Sequence, residues 1–350
     1  MIYTPPKVLK LNSGRISYVN ARLPLVWNWN ILSRHPNVII KYLCAQKNIG
    51  KNIQFFDKRI KKRLPKISNL KNVNWNEIDV LFCSLPTGAS QILAKKLIKK
   101  YNLKIIDLSA DFRLTNKKDF YKFYKKKHSA PELLKFSKYS ITEFAKKDLK
   151  KFKIIACPGC YPTSIQLPIL PLLKKRLLNT KGMIIDSKSG YSGAGKNLKK
   201  KFTHKNIFSS IKAYGILNHR HTAEIDQEFK KATKSKIHYN FTPHLIPTFR
   251  GMLSTIYVEP KENVTINKIH KELKNFHKKN NFVKILPINK NLGTENVINT
   301  NLCEISVCKL KGSKKIMILS AIDNLIKGGA GQAIQNLNLI FNFRLNEGLK

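Results

Sequence analysis

The feature that most limits how this chain can fold is a change of hydrophobic rhythm part-way along it. Through about residue 155, short apolar runs of strand type alternate with helical patterns. Val38–Cys44, Val80–Cys83 extended backwards by Ile78, and Lys104–Leu108 are such runs, and Gln91–Lys100 is a helical pattern between two of them. Strands separated by helices do not pair as simple hairpins, so this alternation predicts a parallel sheet with crossover helices. From Met183 the runs lengthen and alternate, at Met252–Val258, Glu304–Lys309 and Lys315–Ile322, which suits an antiparallel sheet. The tail, Asn324 to Phe343, reads as Gly-Gly and then a long amphipathic helix. At 350 residues the chain exceeds what one hydrophobic core usually supports. Two domains are expected, 1–156 and 157–324, with a C-terminal helix over 325–350 packing back on the first.

Charge points elsewhere at first sight. Lys and Arg number 66 against 20 Asp and Glu, a net +46, which by itself suggests nucleic acid or an anionic membrane. The lysines, however, are spread along the whole chain beside many Asn and Ile, the three residues whose codons are richest in A and T. A genome drifting toward A and T accounts for that composition without a binding role. The short clusters at Lys58–Lys66, Lys125–His128 and Lys196–Lys201 lack the interleaved aromatics of a single-strand groove. No apolar run reaches membrane-spanning length, and Met1 to Lys10 lacks the apolar core of a signal peptide, so a cytoplasmic protein without specific nucleic-acid or membrane partners is expected. The six cysteines stand without zinc-ribbon partners, and no metal site is expected.

The sharpest chemical signal is Cys157-Pro158-Gly159-Cys160-Tyr161-Pro162-Thr163, leading into the helical run Ser164–Leu173. A cysteine at a helix start meets unpaired N–H groups and the helix dipole, which favour a thiolate; Cys160 is the nucleophile candidate. A buried inert cysteine is the alternative. Asn218-His219-Arg220-His221-Thr222-Ala223-Glu224 sets two imidazoles, a guanidinium and a carboxylate within seven residues. A histidine there can take the thiol proton, and an arginine can hold a carboxylate or phosphate. Two glycine-rich stretches, Ser187–Lys196 and Asn324–Gln332, bring backbone N–H groups and a lysine together, as an anion site does, or as a plain turn does.

Taken in order, these blocks resemble the N-acetyl-gamma-glutamyl-phosphate reductase family. The matching stretches are Asp107–Leu114 (DLSADFRL), Cys157–Thr163, Lys188–Lys196 (KSGYSGAGK), His219–Ile225 (HRHTAEI), Thr242–Thr255 and Asp323–Asn336. The resemblance runs from about Ile31 to the end, and departs at Cys157, Ala223 and Thr87, where the family usually carries Asn, Pro and His. It implies a fold similar to aspartate-semialdehyde dehydrogenase: a Rossmann-like NADP-binding domain followed by an α+β catalytic and dimerisation domain. The implied activity is the NADPH-dependent reduction of N-acetylglutamyl 5-phosphate to the 5-semialdehyde, a step of arginine biosynthesis, by a homo-oligomer, dimer or tetramer. The HRH block and DNLIKGGAGQA favour this enzyme over its aspartyl sister. On this resemblance Cys160 is the nucleophile, and His219, favoured over His221, is the base. Arg113, Arg220 and Glu224 would meet the substrate. Lys47, Pro86, Ser189, Gly190, Ser192, Gly193, Gly195, Asn324, Lys327 and Gly328 would line the cofactor. After Cys44 there is no Asp or Glu for a ribose hydroxyl, whereas Lys47 and Lys51 suit a 2′-phosphate, hence NADP.

The front of the chain breaks the pattern. A dinucleotide domain opens with a strand and a glycine turn, yet Leu9–Leu32 offers only Gly14 together with the bulky Tyr18, Trp27 and Trp29. The genetic code suggests why. Read from the third base of each codon, Trp27-Asn28 must give Glu and Asn28-Trp29 must give Leu, and a Leu25 codon ending in G gives Gly two residues before them. A local reading-frame slip between about Arg22 and Asn30 is the expectation.

Overall fold

The structure, a computed structural model, describes residues 16–20, 26–145, 147–194 and 209–349. Its first half is one parallel sheet. The elements are β1 (Ile16–Asn20), α1 (Val26–Ser33), β2 (Val38–Cys44), β3 (Ile67–Ser68), β4 (Val80–Cys83), α2 (Ala89–Leu97), β5 (Lys104–Asp107), α3 (Lys117–Tyr124), β6 (Ser137–Tyr139) and β7 (Ile154–Ala156). The strand order is β3-β2-β1-β4-β5-β7-β6 with every pairing parallel. Every residue of β4 and β7 is buried, as expected of central strands covered on both faces. The chain winds outward from β1 to β3, then restarts on the other side of β1 at β4, so a crevice opens at the carboxyl ends of β1 and β4. The domain therefore does open on a strand followed by a helix. The turn between them, residues 21–25, lies outside the described residues.

The second sheet has the order β12-β13-β14-β11-β8-β10-β9. Its strands are β8 (Met183–Gly190), β9 (Lys212–Ala213), β10 (Tyr239–Ile246), β11 (Met252–Val258), β12 (Val283–Ile285), β13 (Cys303–Lys309) and β14 (Ile316–Ile322), with helices α4 (Cys160–Lys174), α5 (Thr222–Thr233) and α6 (Ile266–His277). Burial alternates along β11, with Met252, Ser254, Ile256 and Val258 inward. The sheet is mixed rather than antiparallel: β8 pairs parallel with β10, and β12 with β13. The long connection carrying α5 lets the chain return to the same edge before β10 begins, which a hairpin could not do.

Helix α4 runs through the centre. All its residues from Tyr161 to Leu173 are buried, and it packs on α5, α6, β11 and β14. Pro168 and Pro171 sit inside it, and each removes an internal hydrogen bond. The carbonyl freed by Pro171, that of Leu167, is instead met by His277 Nε2 at 3.0 Å. After β14 a wide turn, Ile326–Ala330, leads into α7 (Gly331–Phe341), whose Ala333, Ile334 and Leu337 join Leu43, Phe82 and Ile106 in the core of the first sheet.

Candidate active site

The parallel sheet delivers three loops to one edge. Because β2, β4 and β7 run the same way, the turns after them, carrying Lys47, Pro86 and Cys157–Gly159, all leave from the carboxyl ends of the strands. Lys47 is exposed there. The third turn ends on Gly159, extended at φ −73° and ψ 163°, and α4 begins at Cys160. Cys160 is partly exposed, whereas the other five cysteines, Cys157 included, are buried. Burial pushes its thiol up to about 11, outweighing the Tyr161 N–H and the Arg113 charge that favour a thiolate. The helix start is where it was expected, but it does not lower the thiol on balance, because a mostly buried sulfur loses more hydration than two N–H groups return. Cys160 is therefore a thiol at rest.

The HRH block lies against the turn that precedes Cys160. The His221 ring lies flat over Gly159: a Cβ added there would stand 2.4 Å from Nε2, so only glycine fits beneath the imidazole. Burial, followed by the positive field of His219, Arg113 and Arg220, holds His221 well below its ordinary value, and it is neutral. His219 is placed differently. Its Nδ1 accepts the His221 N–H at 3.2 Å, and its ring is boxed by Tyr161 and Tyr214 at 5.3 Å, Phe241 at 5.6 Å and His221 at 4.8 Å. Of the two imidazoles, His221 is the one over the turn before Cys160, whereas His219, the one expected as base, is set among aromatic rings.

Glu224 is fully buried and committed to the protein itself. One oxygen accepts the Gly159 N–H at 2.9 Å, and the other accepts from Arg113 at 2.8 Å. Arg113 also donates to the Leu108 carbonyl at 3.0 Å. Glu224 consequently holds the turn that presents Cys160, and its role as a group that meets substrate is not what the geometry favours. Arg220 is exposed. The same DLSADFRL segment ties down the loop after β4: Asp111 accepts N–H groups of Gly88, Ser90 and Gln91 at 2.8, 3.1 and 3.3 Å and so caps α2 behind Pro86. Burial beside Asp111 pushes Asp107 up to about 7.

The two glycine stretches meet beside Cys160. Ser189 and Gly190 end β8, and Asn324 bridges them to the second stretch, donating to Ser192 Oγ at 3.0 Å and accepting the Gly251 N–H at 2.8 Å. Gly193 lies close by, its added Cβ 3.6 Å from Asn324 Nδ2. Gly328 presses on Cys160, its added Cβ only 2.6 Å from Cys160 Cβ. Gly195 lies outside the described residues. Lys327 departs from expectation. Its ammonium is fully buried, bonded to Glu143 and, at 2.7 Å, to Gln335. A charge so paired in the core is closed to a cofactor phosphate; it anchors the turn that carries Gly328.

A sequence model described as the semialdehyde dehydrogenase NAD binding domain matches residues 29–155, and one described as the semialdehyde dehydrogenase dimerisation domain matches 160–324. A probable N-acetyl-gamma-glutamyl-phosphate reductase, chloroplastic, of Arabidopsis thaliana is 40% identical over 91% of this chain and 79% of its own. The N-acetyl-gamma-glutamyl-phosphate reductase of Campylobacter jejuni subsp. jejuni serotype O:6 is 41% identical over 91% of this chain and 93% of its own. This chain belongs to the N-acetyl-gamma-glutamyl-phosphate reductase family. Within that family of semialdehyde dehydrogenases, an oxidoreductase with a nicotinamide-binding domain, its fold is also that of aspartate semialdehyde dehydrogenase II from Vibrio cholerae. The TM-score to that structure is 0.69 at 14% identity, over 93% of this chain and 98% of the other.

Some of this reductase-family site was invisible in the sequence. Glu143 lies in an unremarkable stretch, and nothing local marks it as the partner of Lys327, 184 residues away. Tyr161 was in view beside Cys160, but its place in the box around His219, with Tyr214 and Phe241, depends on strands that only the fold assembles. Among the described residues no helix is long and apolar enough to cross a membrane.

Proposed function

We propose that the chain catalyses the NADPH-dependent reduction of N-acetyl-L-glutamyl 5-phosphate to N-acetyl-L-glutamate 5-semialdehyde and phosphate, the third step of arginine biosynthesis. The observation that carries this is the Cys160 thiol at the start of α4 with the neutral His221 imidazole over the preceding glycine. His221 accepts the thiol proton, and the sulfur attacks the acyl carbon. Phosphate leaves with the electrons of the acyl–oxygen bond, and a thioester on Cys160 remains. The Cys160 and Tyr161 N–H groups at the free end of α4 stabilise the negative charge that develops. Glu224 acts through Gly159, holding the turn in place.

A bound nicotinamide cofactor supplies the hydride that reduces the thioester. The crevice at the β1/β4 switch fits it, as do the glycine stretches tied by Asn324. Exposed Lys47 after β2, in a loop without a carboxylate as far as Lys51, favours NADP. The description of the match over 160–324 supports a homo-oligomer. A coupled assay with N-acetylglutamate semialdehyde, phosphate and NADP tests the reading. NADPH formation that requires phosphate and prefers this substrate to aspartate semialdehyde is expected. Turnover confined to the aspartyl substrate would overturn it.

A further inference from the structure

We propose that Tyr124 is a substrate-binding residue whose hydroxyl donates to an anionic oxygen of the substrate, closing with Arg113 and Arg220 an anion pocket beside Cys160. The inference rests on the reaction proposed above and adds to it a residue that no motif marks. Tyr124 ends α3, its ring stacked on Phe120 with centroids 4.8 Å apart. Both pack in a cluster with Leu114 and Ala223, which join α3 to the DLSADFRL segment and to the first turn of α5. Ala223 is the residue before Glu224. The ring is therefore fixed with its hydroxyl within the fields of Glu224, Arg113, Arg220 and Asp111.

That hydroxyl is buried and has no hydrogen-bond partner among the described residues. Two more buried polar atoms in the same place lack one, the Arg113 Nε and the His221 Nδ1. The remaining guanidinium contacts of Arg113 go to Glu224 and Leu108, so its Nε–H has a fixed direction and no acceptor. Buried polar groups are nearly always satisfied, and several orphans in one spot mark a place built for something else. Glu224 accepts from the Gly159 N–H and from the Arg113 Nη1 rather than from these atoms. Burial raises the Tyr124 phenol to about 12, so it remains a neutral donor. Two donors beside an exposed Arg220 call for an anion. The substrate carries one at each end, the phosphoryl group and the carboxylate, and both present the same oxygens.

Titration calorimetry on the whole chain separates the sources without needing turnover or cofactor. Wild type, Tyr124→Phe and, as control, Tyr121→Phe are each titrated with inorganic phosphate and with N-acetylglutamate. Phenylalanine keeps the ring stack, so melting temperature should be unchanged. Tyr124→Phe is expected to weaken binding of one probe by about tenfold or more, the loss of a charge-assisted hydrogen bond. Tyr121, exposed on the same helix, should leave both affinities as they are. The weakened probe names the end of the substrate that the pocket holds. Equal affinities in wild type and Tyr124→Phe, or binding of neither probe to wild type, overturns the proposal. Failure of the coupled assay would instead remove the reaction while leaving this measurement intact.

Discussion

Substituting Gly328 by alanine puts one methyl group against the Cys160 side chain. Its Cβ would stand 2.6 Å from Cys160 Cβ, 3.1 Å from Cys160 Cα and 3.3 Å from Ile322 Cδ1, where ordinary contact begins at 3.4 Å. The two Cys160 atoms are fixed by the backbone, and only Ile322 Cδ1 ends a side chain that can shift. Cys160 is pinned by the start of α4, and the turn by the buried Lys327–Glu143 pair, so either the nucleophile or the turn must yield. Overpacking of this kind costs about 1–3 kcal/mol. A displacement of about 1 Å at a reacting group costs on the order of 100-fold in rate. Gly329→Ala provides a built-in control, because its Cβ would meet nothing closer than the Asn324 carbonyl at 3.8 Å. The assay is phosphate-dependent turnover together with the iodoacetamide alkylation rate of Cys160 and thermal unfolding. Gly328→Ala should lose about 100-fold in turnover and change the alkylation rate, while Gly329→Ala keeps both within a few-fold. Equal behaviour of the two variants would refute the claim that the turn sets the position of the sulfur.

Cys160→Ala should abolish phosphate-dependent turnover and Cys157→Ala should keep most of it, since Cys157 is buried with its thiol pushed up to about 12; equal loss would point to a paired redox role. With the Cys160 thiol near 11, its alkylation should speed up about tenfold per pH unit through the alkaline range; a plateau around neutral pH would show a resting thiolate instead. His221→Asn should lower kcat by roughly 100-fold or more. His219→Asn, whose Nδ1 accepts the His221 N–H, should cost less, and the reverse order would return the base to His219. The slip proposed between about Arg22 and Asn30 is checked by reading the nucleotides. Codons lacking Gly two residues before the shifted Glu-Leu, or tight NADPH binding by the chain as written, would reject it.

Local patterns carried the strands, the start of α4, and the order of the motifs. Val38–Cys44 was legible to the residue as an apolar run of strand length, and Met252–Val258 as an alternating run whose burial repeats every second residue. The Cys157–Thr163 block was legible because a glycine turn before a helix is a short-range event. Pairing across the fold was not. Tertiary structure decided that Lys327 is closed off by Glu143, that Glu224 braces Gly159 while Arg113 braces Glu224, and that β8 and β10 run parallel. It also decided which imidazole covers the nucleophile turn, since His219 and His221 are indistinguishable two residues apart until Tyr161, Tyr214 and Phe241 enclose one of them. The thiol of Cys160 shows the reason in one group. The helix start that favours its charge is written in adjacent residues, whereas the burial that disfavours it is contributed by segments distant along the chain, and desolvation proves the larger effect.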